Sequence, residues 1–176
     1  YILYPSIIDV YKSQKEVIQA ISILRDKKID VPQLLMVGEI YGAYGREVQD
    51  MIKGAKLSNE IKLIGPVPYK DMPSLYQNAE FVIFASQSEN CPNILLESMA
   101  SGRAVLCSNR MPMPEFGKNA VEYFDPLNSE ELACKLEELL KDSNLINKME
   151  NLTCKHIKKY TWALSASKTW STLLNI

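Results

Sequence analysis

Two acidic residues, Glu89 and Glu97, lie on either side of a turn that leads into a predicted helix. The turn, Asn90-Cys91-Pro92, follows a predicted strand at residues 81–84, and the helix extends over residues 93–100. The first amides of a helix have no partner within it, and they lie at the positive end of the helix dipole. The turn therefore predicts an anion site that could hold a diphosphate without a metal ion.

The two glutamates should reach different parts of a ligand bound at this turn. Glu97 is four residues after Asn93, so the two side chains share one helix face, and helix side chains lean toward the N-terminus. Glu97 can therefore reach a group beside the phosphates, such as a ribose diol, while Glu89 lies on their other side, where a sugar would lie. The alternative is that Glu89 is a solvated loop acid and Glu97 a surface helix acid.

Lys12 comes just before a predicted helix over residues 14–27, in the loop after the first predicted strand. A cation at this end of a helix opposes the helix dipole, so its position favours a bound anion nearby. The alternative is a solvated surface lysine, because most lysines at helix starts are simply hydrated.

Short apolar runs alternate with longer segments of helical period along the chain. The apolar runs predict strands at 2–4, 34–37, 61–64, 81–84, 104–107 and 121–124. The helical segments are 14–27, 46–55, 69–78, 93–100, 130–141, 144–158 and 163–174. A short helix is expected at Pro114-Glu115. Asp71 is expected to be an early cap of the helix at 69–78, and Ser129 begins an imperfect capping box before the helix at 130–141.

This alternation predicts an α/β fold, a Rossmann-like doubly wound parallel sheet of about six strands with helices on both faces. Ligands of such sheets bind beyond the carboxyl ends of the strands, where the strand order reverses, which selects the loops at 5–12, 38–45, 65–67 and 85–93. Extra helices follow at the C-terminus. The last of them, with Tyr160, Trp162 and Trp170, either packs on a partner domain or covers this domain's own core.

The composition indicates a globular chain, since 47% of its 176 residues are apolar and 23% are charged. A formal net charge of −1 argues against nucleic acid as a partner. No metal site is predicted: the only histidine, His156, is expected on the surface, and the cysteines fit no zinc motif and are expected to be reduced. No apolar run is long enough to span a membrane, and the start at Tyr1 indicates a strand cut from a longer chain.

The sequence around the two glutamates resembles a known family signature. Residues 88–102, SENCPNILLESMASG, contain an E-x7-E motif and resemble the signature of glycosyltransferase family 4. Further blocks extend the resemblance over nearly the whole chain: KSQKEVIQAI, LMVGE, IKLIGPVPYKDMPSLYQNAEFVIFAS and PEFGKNAVEYFDP. The resemblance implies a GT-B fold, with residues 1–176 as the C-terminal nucleotide-sugar-binding domain and the N-terminal acceptor domain lying outside this chain.

The resemblance also implies a role for each matching residue. Glu97 matches the glutamate that binds the donor's ribose hydroxyls, and Glu89 matches the one near the donor sugar. Lys12 matches the lysine that neutralises the departing diphosphate. The other implied donor contacts are the turn residues Asn90, Cys91, Asn93 and Ile94, the loop glycine Gly38, and Gly65 and Pro66 beside the nucleotide base.

Three positions depart from the family pattern. An arginine usually stands five residues before the lysine, where this chain has Ile7, and Arg110 has only a weak claim to replace it. Asn90 and Cys91 stand where the family usually has glycine and an aromatic residue. Because preorganised charges contribute several kcal/mol at such sites, the missing cation implies a weaker or altered donor site.

Family members retain anomeric configuration without a metal ion, so we expect a UDP- or GDP-linked donor sugar, no cofactor, and a saccharide or lipid-linked acceptor. Such an enzyme would work in the cytoplasm or at the inner membrane surface, in polysaccharide biosynthesis, and this chain alone should be weakly active or inactive. The alternative is a non-catalytic GT-B-like module with a degenerate donor site. A dehydrogenase is a third hypothesis, although no G-x-G-x-x-G follows the first strand.

Overall fold

One all-parallel sheet lies at the centre of the computed structural model, which describes residues 1–174. Its strands are short and mostly apolar, as expected for strands covered on both faces. They are β1 (Ile2–Pro5), β2 (Leu34–Val37), β3 (Ile61–Gly65), β4 (Phe81–Phe84), β5 (Ala104–Ser108) and β6 (Glu122–Phe124).

Helices connect the strands and continue beyond the last of them. Single 3-10 turns at Val10–Lys12, Tyr69–Asp71 and Ile157–Lys159 adjoin three of these helices. The helices are α1 (Gln14–Asp26), α2 (Gly42–Gly54), α3 (Met72–Asn78), α4 (Asn93–Ala100), α5 (Met113–Gly117), α6 (Ser129–Lys141), α7 (Ser143–His156) and α8 (Trp162–Leu174).

The strand order is β3-β2-β1-β4-β5-β6, which is the order of a doubly wound sheet. The chain builds outward in one direction from β1 to β3 and then returns to build outward in the other from β4. The switch point therefore lies between β1 and β4, where the loops after both strands diverge. The predicted Rossmann-like α/β fold, with about six strands and additional C-terminal helices, is confirmed.

Alternate residues along the strands belong to two separate apolar layers, one on each face of the sheet. Ile2 and Tyr4 belong to the layer that includes α1, α2 and α6, and α1 packs directly against α6. Leu3 and Val82 belong to the opposite layer, with side chains from α3, α4 and α5. Since side chains alternate along a strand, this division follows directly from the strand sequences.

Two helix starts differ from the sequence prediction. Helix α2 begins at Gly42 and not at residue 46, and its first helical hydrogen bond runs from the Gly45 amide to the Tyr41 carbonyl at 2.9 Å. Helix α6 is capped by Asn128, whose side chain accepts a 3.0 Å hydrogen bond from the Glu131 amide. The prediction that Ser129 begins a capping box was therefore wrong.

The prediction of Asp71 as an early cap was also wrong. Asp71 stands at the N-cap position of α3, but its side chain makes no capping hydrogen bond, because residues 69–71 first form a 3-10 turn. The helix begins with Met72 and Pro73, and proline suits a first helical turn because its missing N–H has no partner there.

His156 lies in the interior and not on the surface, which corrects the sequence prediction. Its side chain is at the end of α7, a helix that packs against α4 and β5. Only 8% of the residue is exposed, and its Nε2 lies 2.6 Å from the Phe116 carbonyl oxygen, which also accepts a hydrogen bond from the Tyr160 hydroxyl. This contact joins the end of α7 to α5.

The last helix, α8, has no buried side chain in the part of the chain that the structure describes. Trp162 is 89% exposed and Trp170 is 63% exposed. Of the two alternatives for this helix, covering the domain's own core is therefore excluded. No helix within residues 1–174 combines the length and apolar character needed to cross a membrane.

Candidate functional site

The loops that follow β1 and β4 meet at the switch point of the sheet. The Gln87 amide donates a 2.7 Å hydrogen bond to the Tyr11 carbonyl, and the Gln87 side-chain amide donates to the Ser13 hydroxyl at 2.9 Å. These contacts join the loop after β4 to the loop that leads into α1. The fold thereby brings Lys12 and Glu89, which are 77 positions apart in sequence, to one place.

Lys12 and Glu89 form a hydrogen-bonded ion pair between these loops. The Lys12 side chain is only 6% exposed and that of Glu89 is 18% exposed. The Lys12 Nζ also lies 4.8 Å from the centroid of the Tyr11 ring and 5.6 Å from that of Phe84. Such distances allow the aromatic faces to contribute to holding the cation.

The burial of this pair rules out the alternatives of a hydrated surface lysine and a solvated loop acid. A buried charge is costly unless it has a partner, and removal of either member would leave the other uncompensated. The Tyr4 hydroxyl further fixes the lysine by donating to the Lys12 carbonyl. The roles of Lys12 toward a diphosphate and of Glu89 toward a sugar stay predictions.

The turn between β4 and α4 differs in detail from the sequence prediction. Pro92 has φ −79° and ψ 69°, the conformation of an inverse γ-turn, and it immediately precedes the helix. The Asn93 amide donates a 2.8 Å hydrogen bond to the Cys91 carbonyl. The prediction that this amide is free for an anion was therefore wrong for this conformation.

The next two amides of α4, those of Ile94 and Leu95, have no hydrogen-bond acceptor among residues 1–174. The first helical bond runs from the Leu96 amide to the Pro92 carbonyl, at 3.1 Å. No side chain caps this helix start. Leu95 is fully buried and Ile94 is partly exposed, so the predicted anion site is reduced to one accessible free donor, the predicted Ile94 amide. Asn90 and Cys91 are both exposed beside it.

The Glu97 carboxylate accepts hydrogen bonds from two tyrosines that the sequence analysis did not single out. The Tyr69 hydroxyl donates to Oε1 and the Tyr76 hydroxyl donates to Oε2, both at 3.2 Å. Burial and the negative charge of Glu97 raise the pKa of Tyr76. The same charge is the main cause of the raised pKa of Tyr69, so both hydroxyls keep their protons and remain donors at neutral pH.

Gly38 has a structural role that the backbone geometry defines. Its φ is +153°, and a Cβ at this position would lie 2.1 Å from the Ser6 carbonyl oxygen. Its amide donates a 2.9 Å hydrogen bond to the Gly65 carbonyl and so is already engaged. Gly38 therefore fits the ends of β1, β2 and β3 together, and a contact with a donor phosphate stays a prediction.

Gly65 ends β3 with φ +79°, and open space lies where its side chain would be. Pro66 follows it in the segment that leads to the 3-10 turn of Tyr69. This segment reaches the same edge of the sheet as Glu97, because Tyr69 bonds that carboxylate. A nucleotide base beside Gly65 and Pro66 stays a prediction.

Neither Ile7 nor Arg110 supplies the charge of the usual arginine at the switch point. Ile7 is half-buried, and its carbonyl accepts from the Ser6 hydroxyl and the Gln14 side chain. Arg110 lies beyond β5, where it forms a 2.9 Å ion pair with Asp125. Its guanidinium is thus already paired, two strands away from the switch point.

A cleft of about 620 Å³ separates α4 from the chain that leads into α8. Its walls include Cys91, Asn93 and Glu97 on one side and Tyr160 and Trp162 on the other. Glu97 thus faces open space despite its two tyrosine bonds. Within residues 1–174, no group of three or more histidine, cysteine or acidic side chains could hold a metal ion.

Comparisons with known proteins agree with this fold and assign a family. A family model described as "Glycosyl transferases group 1" matches residues 1–156. A D-inositol 3-phosphate glycosyltransferase of Paenarthrobacter aurescens is 25% identical over 96% of this chain and 42% of its own length. The O-antigen chain mannosyltransferase B of Escherichia coli is 23% identical over 96% of this chain and 44% of its own. This chain therefore spans less than half the length of these curated relatives.

Solved structures show the same fold. A glycosyltransferase from Rickettsia africae has a TM-score of 0.87 at 24% identity, and the match covers 97% of this chain and 46% of the Rickettsia chain. The Anabaena protein HepE, solved in complex with UDP and glucose, has a TM-score of 0.85 at 18% identity, and the match covers 99% of this chain and 48% of the HepE chain. The family match over most of the sequence excludes the dehydrogenase hypothesis and shows that this chain belongs to the group 1 glycosyltransferases.

Proposed function

We propose that this chain is the donor-binding domain of a retaining, metal-independent glycosyltransferase that uses a nucleotide diphosphate sugar. The observation that carries this proposal is the grouping of Lys12, Glu89 and the start of α4 at the switch point of the sheet. Open α/β sheets bind ligands at this place. A buried lysine beside a free helix amide supplies the positive field that a diphosphate needs.

Each group has a separate task in the proposed complex. The Ile94 amide and the Lys12 ammonium bind the diphosphate, and Glu97 accepts hydrogen bonds from the ribose hydroxyls. Glu89 lies on the same loop as the phosphate turn and accepts from a sugar hydroxyl. Its contact with Lys12 places the donor sugar next to the cation that balances the charge of the leaving group.

Transfer in this site depends on position and electrostatics. The acceptor hydroxyl attacks the anomeric carbon from the face on which the diphosphate leaves, so the configuration is retained. The bond from the anomeric carbon to the acceptor oxygen forms while its bond to the phosphate oxygen breaks, and the proton of the acceptor hydroxyl passes to that departing phosphate oxygen on the same face. Lys12 and the Ile94 amide stabilise the negative charge that develops on that oxygen, and no metal ion is needed for this task.

The acceptor is proposed to bind outside this chain. Because the curated relatives are more than twice as long as their matched part, we assign acceptor binding to an N-terminal half of the whole protein. The exposed α8 is proposed to pack against that half. The acceptor class is a saccharide or a lipid-linked glycan, and the enzyme would act in surface-glycan synthesis in the cytoplasm, with peripheral contact at the inner membrane where the acceptor is lipid-linked.

Calorimetry of the intact protein with UDP and with GDP tests this proposal. One of the two nucleotides should bind with a micromolar to millimolar dissociation constant without added metal, and a chelator should not change it. Glu97→Ala should weaken binding about tenfold or more, because hydrogen bonds to a charged group contribute about 1.5–3 kcal/mol each. If neither nucleotide binds, or if Glu97→Ala binds like the parent, the proposal is wrong.

A second candidate is a non-catalytic module with the same fold. Ile7 at the usual arginine position and the engaged Asn93 amide favour it, because both reduce the positive field at the diphosphate. An assay of the intact protein for donor hydrolysis and sugar transfer separates the two. Nucleotide binding without hydrolysis or transfer, across UDP- and GDP-linked donors and saccharide acceptors, would support the non-catalytic module.

A further inference from the structure

Glu97 is held from two sides by tyrosines in very different surroundings. Tyr76, in α3, is 3% exposed, and Tyr69, in the preceding 3-10 turn, is 76% exposed. Each donates one hydrogen bond, Tyr76 to Oε2 and Tyr69 to Oε1. The two carboxylate oxygens therefore differ: one faces the interior of the domain and the other faces solvent.

The position of Tyr76 is fixed by packing. Its ring belongs to the same apolar layer as Leu95 and Met99 of α4, and both of these residues are fully buried. A buried hydroxyl needs a partner, and the Glu97 carboxylate supplies it. Loss of that bond would leave an unsatisfied group in the core, so the ring and the carboxylate fix each other.

Tyr69 has no comparable packing. Its side chain is largely hydrated, so its bond to Oε1 can exchange with another donor at little cost. Water or a ligand hydroxyl can take this place, because a carboxylate oxygen has room for more than one hydrogen bond. The cleft beside α4 gives such a donor access to Glu97.

We propose that Tyr76 is a positioning residue that orients Glu97 through Oε2, so that Oε1 is presented to the ribose diol, and that this contact sets the preference for ribose over deoxyribose. The inference rests on the proposed nucleotide-binding function. A carboxylate held in one orientation loses less conformational freedom when it binds two adjacent hydroxyls, and this raises affinity only for ligands that have both hydroxyls. Tyr76 touches no ligand itself.

The test compares the nucleoside diphosphate that binds the intact protein, UDP or GDP, with its 2′-deoxy form. The parent should bind the ribose form about tenfold or more tightly, since each hydrogen bond to a carboxylate contributes strongly. Tyr76→Phe should reduce this ratio to about threefold or less, by weakening the ribose form while leaving the deoxy form nearly unchanged. The ratio cancels any general loss of phosphate affinity.

Two control variants separate positioning from fold. Tyr1→Phe removes a hydroxyl that donates a 2.7 Å hydrogen bond to the Leu75 carbonyl, which lies in α3 like Tyr76. This variant should keep the parent's ratio of ribose to deoxyribose affinity. Tyr69→Phe should change the ratio by less than about twofold, because its exposed bond is replaced by water or ligand. Thermal unfolding of all three variants checks that each retains the fold.

The outcomes distinguish this inference from the proposed function. If neither UDP nor GDP binds the parent, the proposed function fails. If one binds with a ribose preference that Tyr76→Phe leaves intact, or if the variant loses both forms equally, the positioning role is wrong while the donor site stands. A ratio that falls with Tyr69→Phe and not with Tyr76→Phe would also overturn it.

Discussion

Lys12 is the only cation that the structure places at the switch point within residues 1–174, and Glu89 already occupies it. A diphosphate that arrives there meets a lysine whose charge is partly neutralised. Glu89 therefore has two opposing effects: it keeps the buried lysine in place without ligand, and it competes with phosphate oxygens for the same hydrogen-bond donors. The balance decides the affinity for the nucleotide.

Substitution of Glu89 by glutamine should separate these effects. We expect Glu89→Gln to raise the affinity for UDP or GDP about three- to tenfold, because the competing charge is lost, and to lower sugar transfer. The ligand-free variant should unfold at a lower temperature, because Lys12 loses its partner, and the nucleotide should restore the difference. Calorimetry and thermal denaturation with and without nucleotide measure both effects.

The pair of Lys15 and Glu47 supplies the control. These side chains also form an ion pair between two elements, but they are 37% and 57% exposed. Glu47→Gln should therefore change neither nucleotide affinity nor stability by more than about 0.5 kcal/mol. If Glu89→Gln instead weakened nucleotide binding as strongly as Lys12→Met, Glu89 would mainly hold the lysine in place and would not compete for it.

The predictions for Glu89 and Glu97 depend on local features of one sequence motif and on its resemblance to a family signature. Glu89 and Glu97 could be placed from the strand, turn and helix around them. Lys12 was also predicted, but its ion pair with Glu89 and the two tyrosine contacts of Glu97 were not. These partners come from distant parts of the chain: Lys12 is 77 positions from Glu89, and Tyr69 and Tyr76 are 28 and 21 positions from Glu97. Only the folded structure, which joins the loops after β1 and β4 and places both tyrosines beside Glu97, reveals such contacts.

At the scale of the elements, the ends of β1 and β2 fit together at Gly38. The Ser6 amide donates to the Val37 carbonyl at 2.9 Å, and the Ser6 carbonyl then comes so close to Gly38 that a side chain cannot fit. The loop that carries Lys12 continues from this contact. The close fit at Gly38 thus helps to set the path of the lysine loop.

Gly38→Ala should therefore destabilise the fold by about 2 kcal/mol or more, because the methyl group meets backbone atoms and φ is positive. Gly54→Ala is the matched control, because no atom lies within 4 Å of the Cβ that it would add. Gly54 is the last residue of α2, and its φ is not positive. That variant should be neutral or slightly stabilising. Urea unfolding measures both, and equal stability of Gly38→Ala and the parent would contradict the packing role.

The strands were predicted to within one residue at each end because most are continuous apolar runs, interrupted only by Lys62 in β3 and Glu122 in β6. Helix boundaries were less well predicted, since they depend on contacts beyond the helix. The glycines at the start of α2 weaken its helical pattern, yet the Gly45 amide donates the first hydrogen bond of that helix to the Tyr41 carbonyl. Asn128 and Ser129 are both good cap residues, and only the structure shows which one bonds the Glu131 amide.

At the scale of the whole molecule, two layers of helices enclose the sheet while α8 stays outside both. An exposed helix with two tryptophans and three leucines is costly for a protein surface, because large apolar side chains remain in water. The proposed N-terminal half of the whole protein would cover it. The exposure of α8 therefore predicts a difference between this chain alone and the intact protein.

Both tryptophans of the chain lie in α8, so their fluorescence reports on this helix alone. In a protein made of residues 1–176, the emission should be that of hydrated indole, and iodide should quench it almost as well as it quenches free tryptophan. Trp170→Ser should change the free energy of unfolding by less than about 0.5 kcal/mol, whereas Leu136→Ala, in the buried face of α6, should cost about 2–5 kcal/mol.

The intact protein should behave differently at the same two positions. The emission of Trp162 and Trp170 is the difference in fluorescence between the parent and the variants Trp162→Phe and Trp170→Phe. This emission should lie at shorter wavelength and should be quenched less by iodide, because a packed indole is shielded from water and from ions. Trp170→Ser should then lower its thermal stability, since the interface between the two halves loses an aromatic contact. Equal quenching of α8 in both proteins would show that the helix stays in water and that the two halves meet elsewhere.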